Sequence, residues 1–240
     1  MFKEIKNFYR KTKLHKKDLE APEGTPNITH IEVFRKSYSR LPSIKLPEVE
    51  KEESQFESLI DYRESQRIFS DSPLSFSEFS KILGSCRIVD QERKPERRTY
   101  PSGGARFPVE IYTVSYNVEG LDHGAYHYNM QDKSLELLLG QNLNNKRREL
   151  ISPYLENPAA TIIFTSVLAR SEVKYGLRAY PYSLIEVGHM GQNIQLSATE
   201  IGIGSCPVSG FLDDTVKSVL DLTDDEIPIY SISIGKIKRR

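Results

Sequence analysis

Two arginines and a serine alternate along one short stretch of the chain, at Arg63, Ser65 and Arg67. In an extended segment, alternate side chains point to the same side, so these three would converge on a single anion. Arginine suits forked binding of phosphate, and serine adds a compact hydrogen-bond donor. The spacing is compatible with an anion site, although a solvated charged turn is the simpler interpretation of the same residues.

A glycine-rich loop is expected further along, where Ser102, Gly103 and Gly104 stand between two prolines. Paired glycines permit positive φ and let backbone N–H groups come close to a flat or anionic ligand. A tight loop that simply enters the strand beginning near Val109 explains the glycines equally well.

A third segment follows the longest predicted helix and runs from Gly202 to Phe211. Gly202 fits a C-terminal helix cap, which is a sufficient reason for that residue. The further Gly204, Pro207 and Gly210 exceed what a cap needs, and they suggest a stretch of backbone shaped against a ligand.

The composition is that of an ordinary globular protein. The chain has 240 residues, with 33 Lys plus Arg against 33 Asp plus Glu, and 38% of its residues are hydrophobic. Such a composition excludes a disordered or collagen-like chain, and the zero net charge argues against a dedicated nucleic-acid binder.

The two cysteines, Cys86 and Cys206, are too few for a disulfide scaffold or a four-cysteine zinc site. The five histidines show no zinc-type spacing, so no metal site is predicted. No apolar run approaches the ~20 residues that a membrane span requires. A cytoplasmic protein is the simplest expectation.

The order of elements predicts an α+β fold. Residues 1–54 are interpreted as an N-terminal extension, with a basic amphipathic segment at residues 3–17 and a proline-rich strap, and residues 55–240 as the core domain. The basic segment is expected to dock on the domain rather than to bind nucleic acid. The expected core helices begin near Phe56, near Ser75 or Ser77, at Lys146 and at Leu184, and the expected strands are 111–118, 125–128, 161–168 and 227–234.

Taken together, the three segments resemble the FMN-dependent nitroreductase superfamily over roughly residues 55–238. The resemblance is carried by Arg-Thr-Tyr-Pro-Ser-Gly-Gly-Ala at 98–105, Lys-Tyr-Gly-Leu-Arg-Ala-Tyr at 174–180 and Glu-Val-Gly-His-Met-Gly-Gln-Asn at 186–193. The first two favour the SagB-type dehydrogenases, which oxidise azolines in peptide-modifying pathways. Where that branch often has an arginine after the Ala-Tyr pair, this chain has Pro181.

The resemblance implies a nitroreductase-like fold, with a mixed, mostly antiparallel sheet flanked by helices, in a homodimer that holds FMN at the subunit interface. It assigns the phosphate to Arg63 and Ser65, and places Arg67 at the pyrimidine end of the ring. The ring would be lined by Ser102, Gly103 and Gly104, and covered by Pro207, Val208, Ser209 and Gly210. Lys236, Lys238 and Arg239 would complete the phosphate site.

Lys174 and Tyr175 match the pair regarded as catalytic in this branch. Oxidation of an azoline releases a hydride to the flavin and a proton to a base. Neither side-chain type is a base at neutral pH unless burial or cationic neighbours lower its pKa. A surface lysine next to a core tyrosine is the alternative interpretation.

The leading function is therefore an FMN-dependent dehydrogenase that acts on a peptide thiazoline or oxazoline, with oxygen as electron acceptor and a cyclodehydratase as a possible partner. The alternatives are an NAD(P)H-dependent nitroreductase and a non-catalytic scaffold in a peptide-modifying complex.

Overall fold

The protein is built around one large antiparallel sheet, as seen in a computed structural model that describes residues 2–18, 40–47 and 54–238. In chain order, the described strands are β1 (Leu74–Ser75), β2 (Ile88–Asp90), β3 (Arg97–Arg98), β4 (Val109–Ser115), β5 (Val118–Glu119), β6 (Gly124–Asn129), β7 (Ser134–Leu139), β8 (Ala160–Val167), β9 (Ile203–Val208) and β10 (Glu226–Lys236). The large sheet has the order β7-β6-β4-β8-β10-β9, and each neighbouring pair in it is antiparallel.

Helices cover both faces of this sheet. They are α1 (Lys3–Thr12), α2 (Gln55–Tyr62), α3 (Phe76–Leu83), α4 (Arg147–Leu150), α5 (Ala169–Tyr175), α6 (Ala179–Glu200) and α7 (Asp213–Val219). Successive residues of β8 are buried on opposite faces, because side chains alternate along a strand. Phe164 shares a cluster with Met190 of α6, whereas Ile163 shares another with Val216 of α7.

The long helix α6 ends at a left-handed glycine. Gly202 has φ 68° and its N–H donates to the Thr199 carbonyl at 3.1 Å, which confirms the predicted cap. At the start of α3, Ser75 and Glu78 form a reciprocal capping box. Of the two predicted caps, Ser75 is therefore the right one.

The segment after α2 crosses the edge of the sheet and reaches the end of β10. The Gln66 N–H donates to the Ser205 carbonyl of β9, and the Ser70 N–H donates to the Lys236 carbonyl of β10, each at 2.9 Å. Phe69 packs against Gly235, where an added Cβ would lie 3.0 Å from the ring. These contacts place residues from distant parts of the sequence side by side.

The basic N-terminal segment docks on the domain, as predicted. Ile5 of α1 is buried with Leu168 and Ile227, and the Phe8 ring meets the Tyr180 ring edge-on at 5.7 Å. Residues 19–39 and 48–53, which include part of the predicted proline-rich strap, lie outside the described residues, and so does Arg239. Across the described ranges, no helix is both long enough and apolar enough to cross a membrane.

Several predicted elements differ from the structure. The helix expected from Lys146 is limited to α4, because Pro153 and the preceding Ser152 do not continue it. Strands β7 and β9 were not predicted, and β9 contains Pro207, which an edge strand tolerates because one side of it needs no ladder hydrogen bond.

The two glycines of α6 have different surroundings. Gly191 lies against the ring of Tyr230, where an added Cβ would come within 2.8 Å of a ring carbon, and Gly188 faces open space.

Candidate functional site

Lys174 and Tyr175 lie at the C-terminal end of α5, which stops because Gly176 adopts φ 55°. The Lys174 Nζ lies 5.2 Å from the centre of the Tyr175 ring. Both side chains reach Gly104, where an added Cβ would lie 3.1 Å from the Lys174 Nζ and closer still to the Tyr175 hydroxyl. The structure therefore brings the two predicted catalytic residues against the predicted glycine loop.

The glycine loop, residues 102–107, has an unusual backbone. Gly104, Ala105 and Phe107 have φ values of 61°, 52° and 47°. The loop is closed by the Phe107 N–H, which donates to the Ser102 hydroxyl oxygen at 2.9 Å. Left-handed conformations are costly for residues with a side chain, so the surrounding contacts must hold this shape.

Two arginines anchor that loop from outside. The Arg98 guanidinium lies 4.0 Å from the centre of the Phe107 ring, and the Arg170 guanidinium donates to the Phe107 carbonyl at 3.1 Å. Arg170 also pairs with Glu110 of β4 at 2.5 Å. A cation over an aromatic face and a charged donor on the carbonyl both stabilise the observed position of Phe107.

Tyr182, in the first turns of α6, belongs to the same cluster and was missed from the sequence. Its ring lies 5.0 Å from the Tyr175 ring in an edge-on arrangement, and it contacts Gly103, whose added Cβ would be 3.4 Å away. Pro181, the departure from the branch pattern, sits at the third position of this helix, where a missing N–H costs no helical bond.

Part of the predicted anion site lines a cleft of about 680 Å³. Of the predicted residues, Ser65, Arg67 and Lys238 line it, and the other lining residues are Glu64, Gln66, Ile68 and Ile237. The side chains of Arg67 and Lys238 are exposed. The extended segment after α2 and the end of β10 thus form one charged cleft, which includes the carboxylate of Glu64 but not Arg63, the third residue of the alternating set.

Two other residues predicted to bind the phosphate, Arg63 and Lys236, do not line this cleft. Arg63 is the C-cap of α2 and is not among the residues that line this cleft. The ammonium group of Lys236 pairs with Glu78 of α3, and this ion pair lowers the pKa of the Glu78 carboxyl. Lys238 is consequently the described cation at the end of β10 that faces the cleft.

The segment Pro207–Gly210 continues along the same sheet edge. Ser65 lies opposite Ser205 of β9, so the end of β9 extends beyond the cleft in the chain direction. The Ser231 hydroxyl of β10 donates a hydrogen bond to the Val208 carbonyl at 3.0 Å. The next residue, Ser209, is exposed.

Ser102 of the glycine loop lines another cleft, of about 440 Å³, together with Arg97, Arg98 and Phe107. None of these residues lines the cleft around Ser65 and Lys238.

Among the described residues, no group of three or more His, Cys, Asp and Glu side chains is arranged to hold a metal ion. His127 instead pairs with two carboxylates, Glu136 at 2.8 Å and Glu110 at 3.2 Å. These hydrogen bonds raise the pKa of His127.

Comparison with known proteins places these features in context. The family model described as "Nitroreductase family" matches residues 60–236. The protein MJ1384 of Methanocaldococcus jannaschii, a nitroreductase by name, is 31% identical over 195 residues, which is 80% of this chain and 96% of that protein. The Microcin B17-processing protein McbC of Escherichia coli is 32% identical over 133 residues, which is 52% of this chain and 49% of McbC.

Among solved structures, the E. coli microcin synthetase McbBCD complex with truncated pro-MccB17 bound contains a chain of similar fold. The TM-score is 0.78 at 23% identity, and the match covers 98% of this chain and 92% of that chain. The fold predicted from the sequence is therefore confirmed.

Proposed function

Because this chain belongs to the nitroreductase family, we propose that it is an FMN-dependent dehydrogenase of the SagB type that oxidises peptide thiazolines or oxazolines to azoles. The family and its flavin-dependent relatives make the protein a flavin-dependent oxidoreductase. Similarity to McbC supports the SagB-type branch. The observation on which the proposal depends is the contact of Lys174 and Tyr175 with Gly104.

The described residues fit FMN in two respects. The cleft offers a phosphate the Ser65 hydroxyl and the Lys238 ammonium group, and the proposal keeps Arg67 at the pyrimidine end of the ring. Gly103 and Gly104 are exposed, with Gly103 next to Tyr182 and Gly104 next to Lys174 and Tyr175. In this proposal, residues 207–210 cover the ring.

When bound, FMN would supply a hydride acceptor. The aromatisation of an azoline also releases one proton, and oxygen takes up the electron pair, so that no other oxidant is needed. The part proposed for Lys174 and Tyr175 is to hold the substrate ring and to receive that proton once bound substrate and flavin cover Lys174, which is exposed in the free chain. Their position beside Gly104 supports this role, because it brings both polar groups to the backbone expected to line the flavin.

We further propose a homodimer in which the charged cleft of one subunit meets the glycine loop of its partner. Two observations support it. The two groups of residues line different clefts in one chain. In addition, Ile185 of α6 and Phe56 of α2 are 59% and 63% exposed, which is high for large apolar side chains.

The proposal also includes a peptide substrate and a cyclodehydratase partner. It is supported by the similar chain in the microcin synthetase McbBCD complex, which was solved with truncated pro-MccB17 bound.

The test is the reaction itself. Protein loaded with FMN is incubated in air with a peptide that carries thiazoline or oxazoline rings. We expect each ring to lose two hydrogen atoms, as measured by mass spectrometry, with formation of hydrogen peroxide. Unchanged rings in the presence of bound flavin would contradict the proposed substrate.

A second candidate is an NAD(P)H-dependent nitroreductase, favoured by the match to MJ1384 over 80% of this chain. Anaerobic mixing separates the two functions. Rapid bleaching of the flavin by NAD(P)H, followed by reoxidation with a nitroaromatic compound, would favour the nitroreductase. Slow bleaching by NAD(P)H and fast bleaching by the azoline peptide would favour the dehydrogenase.

A further inference from the structure

Glu186 is a buried carboxylate that the proposed chemistry does not use. It lies on the inward face of α6 and is 2% exposed. Neither of its carboxylate oxygens has a hydrogen-bond partner among the described residues. Native proteins rarely bury an unpaired carboxylate, so such a group calls for an explanation.

The polar groups that face Glu186 come from every element packed around it. They are the Ser102 hydroxyl of the glycine loop, Arg98 and Tyr100 from the segment that leads into it, the Val109 N–H of β4 and Arg170 of α5. Both arginines are engaged elsewhere, Arg98 with Glu96 and Tyr100, and Arg170 with Glu110 and the Phe107 carbonyl.

Two groups in this set have a hydrogen to give, the Val109 N–H and the Ser102 hydroxyl, and Ser102 is the one that belongs to the glycine loop. Its oxygen already accepts a hydrogen bond from the Phe107 N–H, and a hydroxyl carries one further hydrogen that it can donate. No described hydrogen bond uses that hydrogen, and Glu186 is the carboxylate that faces it.

We propose that Glu186 is a positioning residue, which accepts the hydrogen of the Ser102 hydroxyl and so holds the glycine loop against Lys174 and Tyr175. This inference rests on the proposed function for the purpose of the loop, but the contact itself does not require a flavin. An ionised acceptor makes the stronger hydrogen bond. Burial raises the pKa of Glu186 to about 7, against the opposing effects of Ser102, Arg98, Val109 and Arg170. The loop should therefore be held more firmly at pH 8 than at pH 6.

Amide hydrogen exchange of the segment 102–107 tests the contact in protein without added flavin. After correction for intrinsic exchange rates, we expect Glu186→Leu to reduce protection of this segment about fivefold, the factor that corresponds to loss of one ordinary hydrogen bond. Glu186→Gln keeps an acceptor and should lose little at pH 6. Glu200→Gln is the matched control on the same helix, because its side chain pairs with Lys81 at the surface.

The pH comparison keeps the proposal testable even if Glu186→Leu does not fold. In the unmodified protein, protection of the segment should rise about threefold or more from pH 6 to pH 8, whereas in Glu186→Gln it should stay constant. Both proteins retain His127, which also titrates and reaches the loop through Glu110 and Arg170. The ionisation of Glu186 is therefore measured by the difference between the pH profiles of the two proteins. Equal pH profiles, or unchanged protection in Glu186→Leu, would overturn the proposal.

Flavin binding separates this inference from the proposed function. The FMN dissociation constant is measured for the unmodified protein, Ser102→Ala, Glu186→Leu and the double variant. If both residues act through one hydrogen bond, the double variant should bind FMN no more weakly than the weaker single variant. If the exchange results hold but the unmodified protein binds no flavin, Glu186 positions the loop and the proposed function fails. Fully additive losses would refute the shared hydrogen bond.

Discussion

Gly104 and Tyr175 are packed so closely that a side chain at position 104 would have to displace the Tyr175 hydroxyl. An added Cβ would lie under 3.0 Å from the Tyr175 hydroxyl, a separation that real Cβ atoms essentially never show. Gly104 also has φ 61°, a conformation that residues with a side chain rarely adopt. The close contact with α5 and the backbone conformation therefore both favour glycine at position 104.

We expect Gly104→Ala to reduce turnover at least tenfold, because the new methyl group displaces the Tyr175 hydroxyl. Its backbone strain should also lower the free energy of unfolding by roughly 1–2 kcal/mol. Gly120→Ala is the matched control, because Gly120 has φ 78° and an added Cβ there lies 4.0 Å from the nearest side chain. It should show the strain without the loss of turnover. Equal turnover in both variants would contradict the assigned contact.

Replacement of Lys174 by alanine should abolish turnover while the flavin stays bound. The reason is that Lys174 lies against the glycine loop, where the proposal places the substrate, and does not line the cleft proposed for the phosphate. Steady-state turnover and the visible flavin spectrum measure the two properties. Val173→Ala serves as control, since Val173 is 86% exposed on the same helix. Activity that survives in Lys174→Ala would show that the catalytic assignment is wrong.

Loss of a cation from the charged cleft should weaken FMN binding selectively. We expect Lys238→Ala to raise the dissociation constant for FMN about 10- to 100-fold, as for one charge-assisted hydrogen bond. Riboflavin, which lacks the phosphate, should bind this variant as it binds the unmodified protein. Lys81→Ala, which removes a surface cation paired with Glu200, is the control. Parallel losses for FMN and riboflavin would place the phosphate elsewhere.

The stability of the protein should depend on the ionisation of His127. Its hydrogen bonds to Glu110 and Glu136 raise its pKa, so the folded state binds the proton more tightly than the unfolded state does. This contribution is fully present below the ordinary histidine pKa of about 6.5, and it is lost as the pH rises through the higher folded value.

Accordingly, His127→Gln should lower the free energy of unfolding at pH 6 by roughly 1 kcal/mol and leave it nearly unchanged at pH 9. Denaturant titrations at the two pH values measure the effect, and the exposed His123, replaced by glutamine, provides the control. A pH-independent loss would mean that packing against Tyr112, whose ring is 5.1 Å away, matters more than charge.

The sequence predicted most of the regular elements, because their signals are local. The capping residue Ser75, the left-handed Gly202 and the apolar run of β8 each depend on residues close in the chain. Within the large sheet, the strands it missed are the two at the edges. β7 has most of its side chains outside the core, and β9 carries Gly204 and Pro207, which are typical of loops. Their pairing partners, and not their own residue types, make them strands.

What the sequence by itself determined is the set of chemical groups: an alternating Arg-Ser-Arg segment, a Ser-Gly-Gly loop and a Lys-Tyr pair, together with the family that they resemble. The tertiary structure decided which of them meet. In the folded chain, Lys236 pairs with Glu78, whereas Lys238 lines the cleft. Lys174 and Tyr175 lie against Gly104, and Glu186 is buried. The physical reason is that side-chain packing and burial depend on contacts between distant segments, which residue spacing along the chain does not encode.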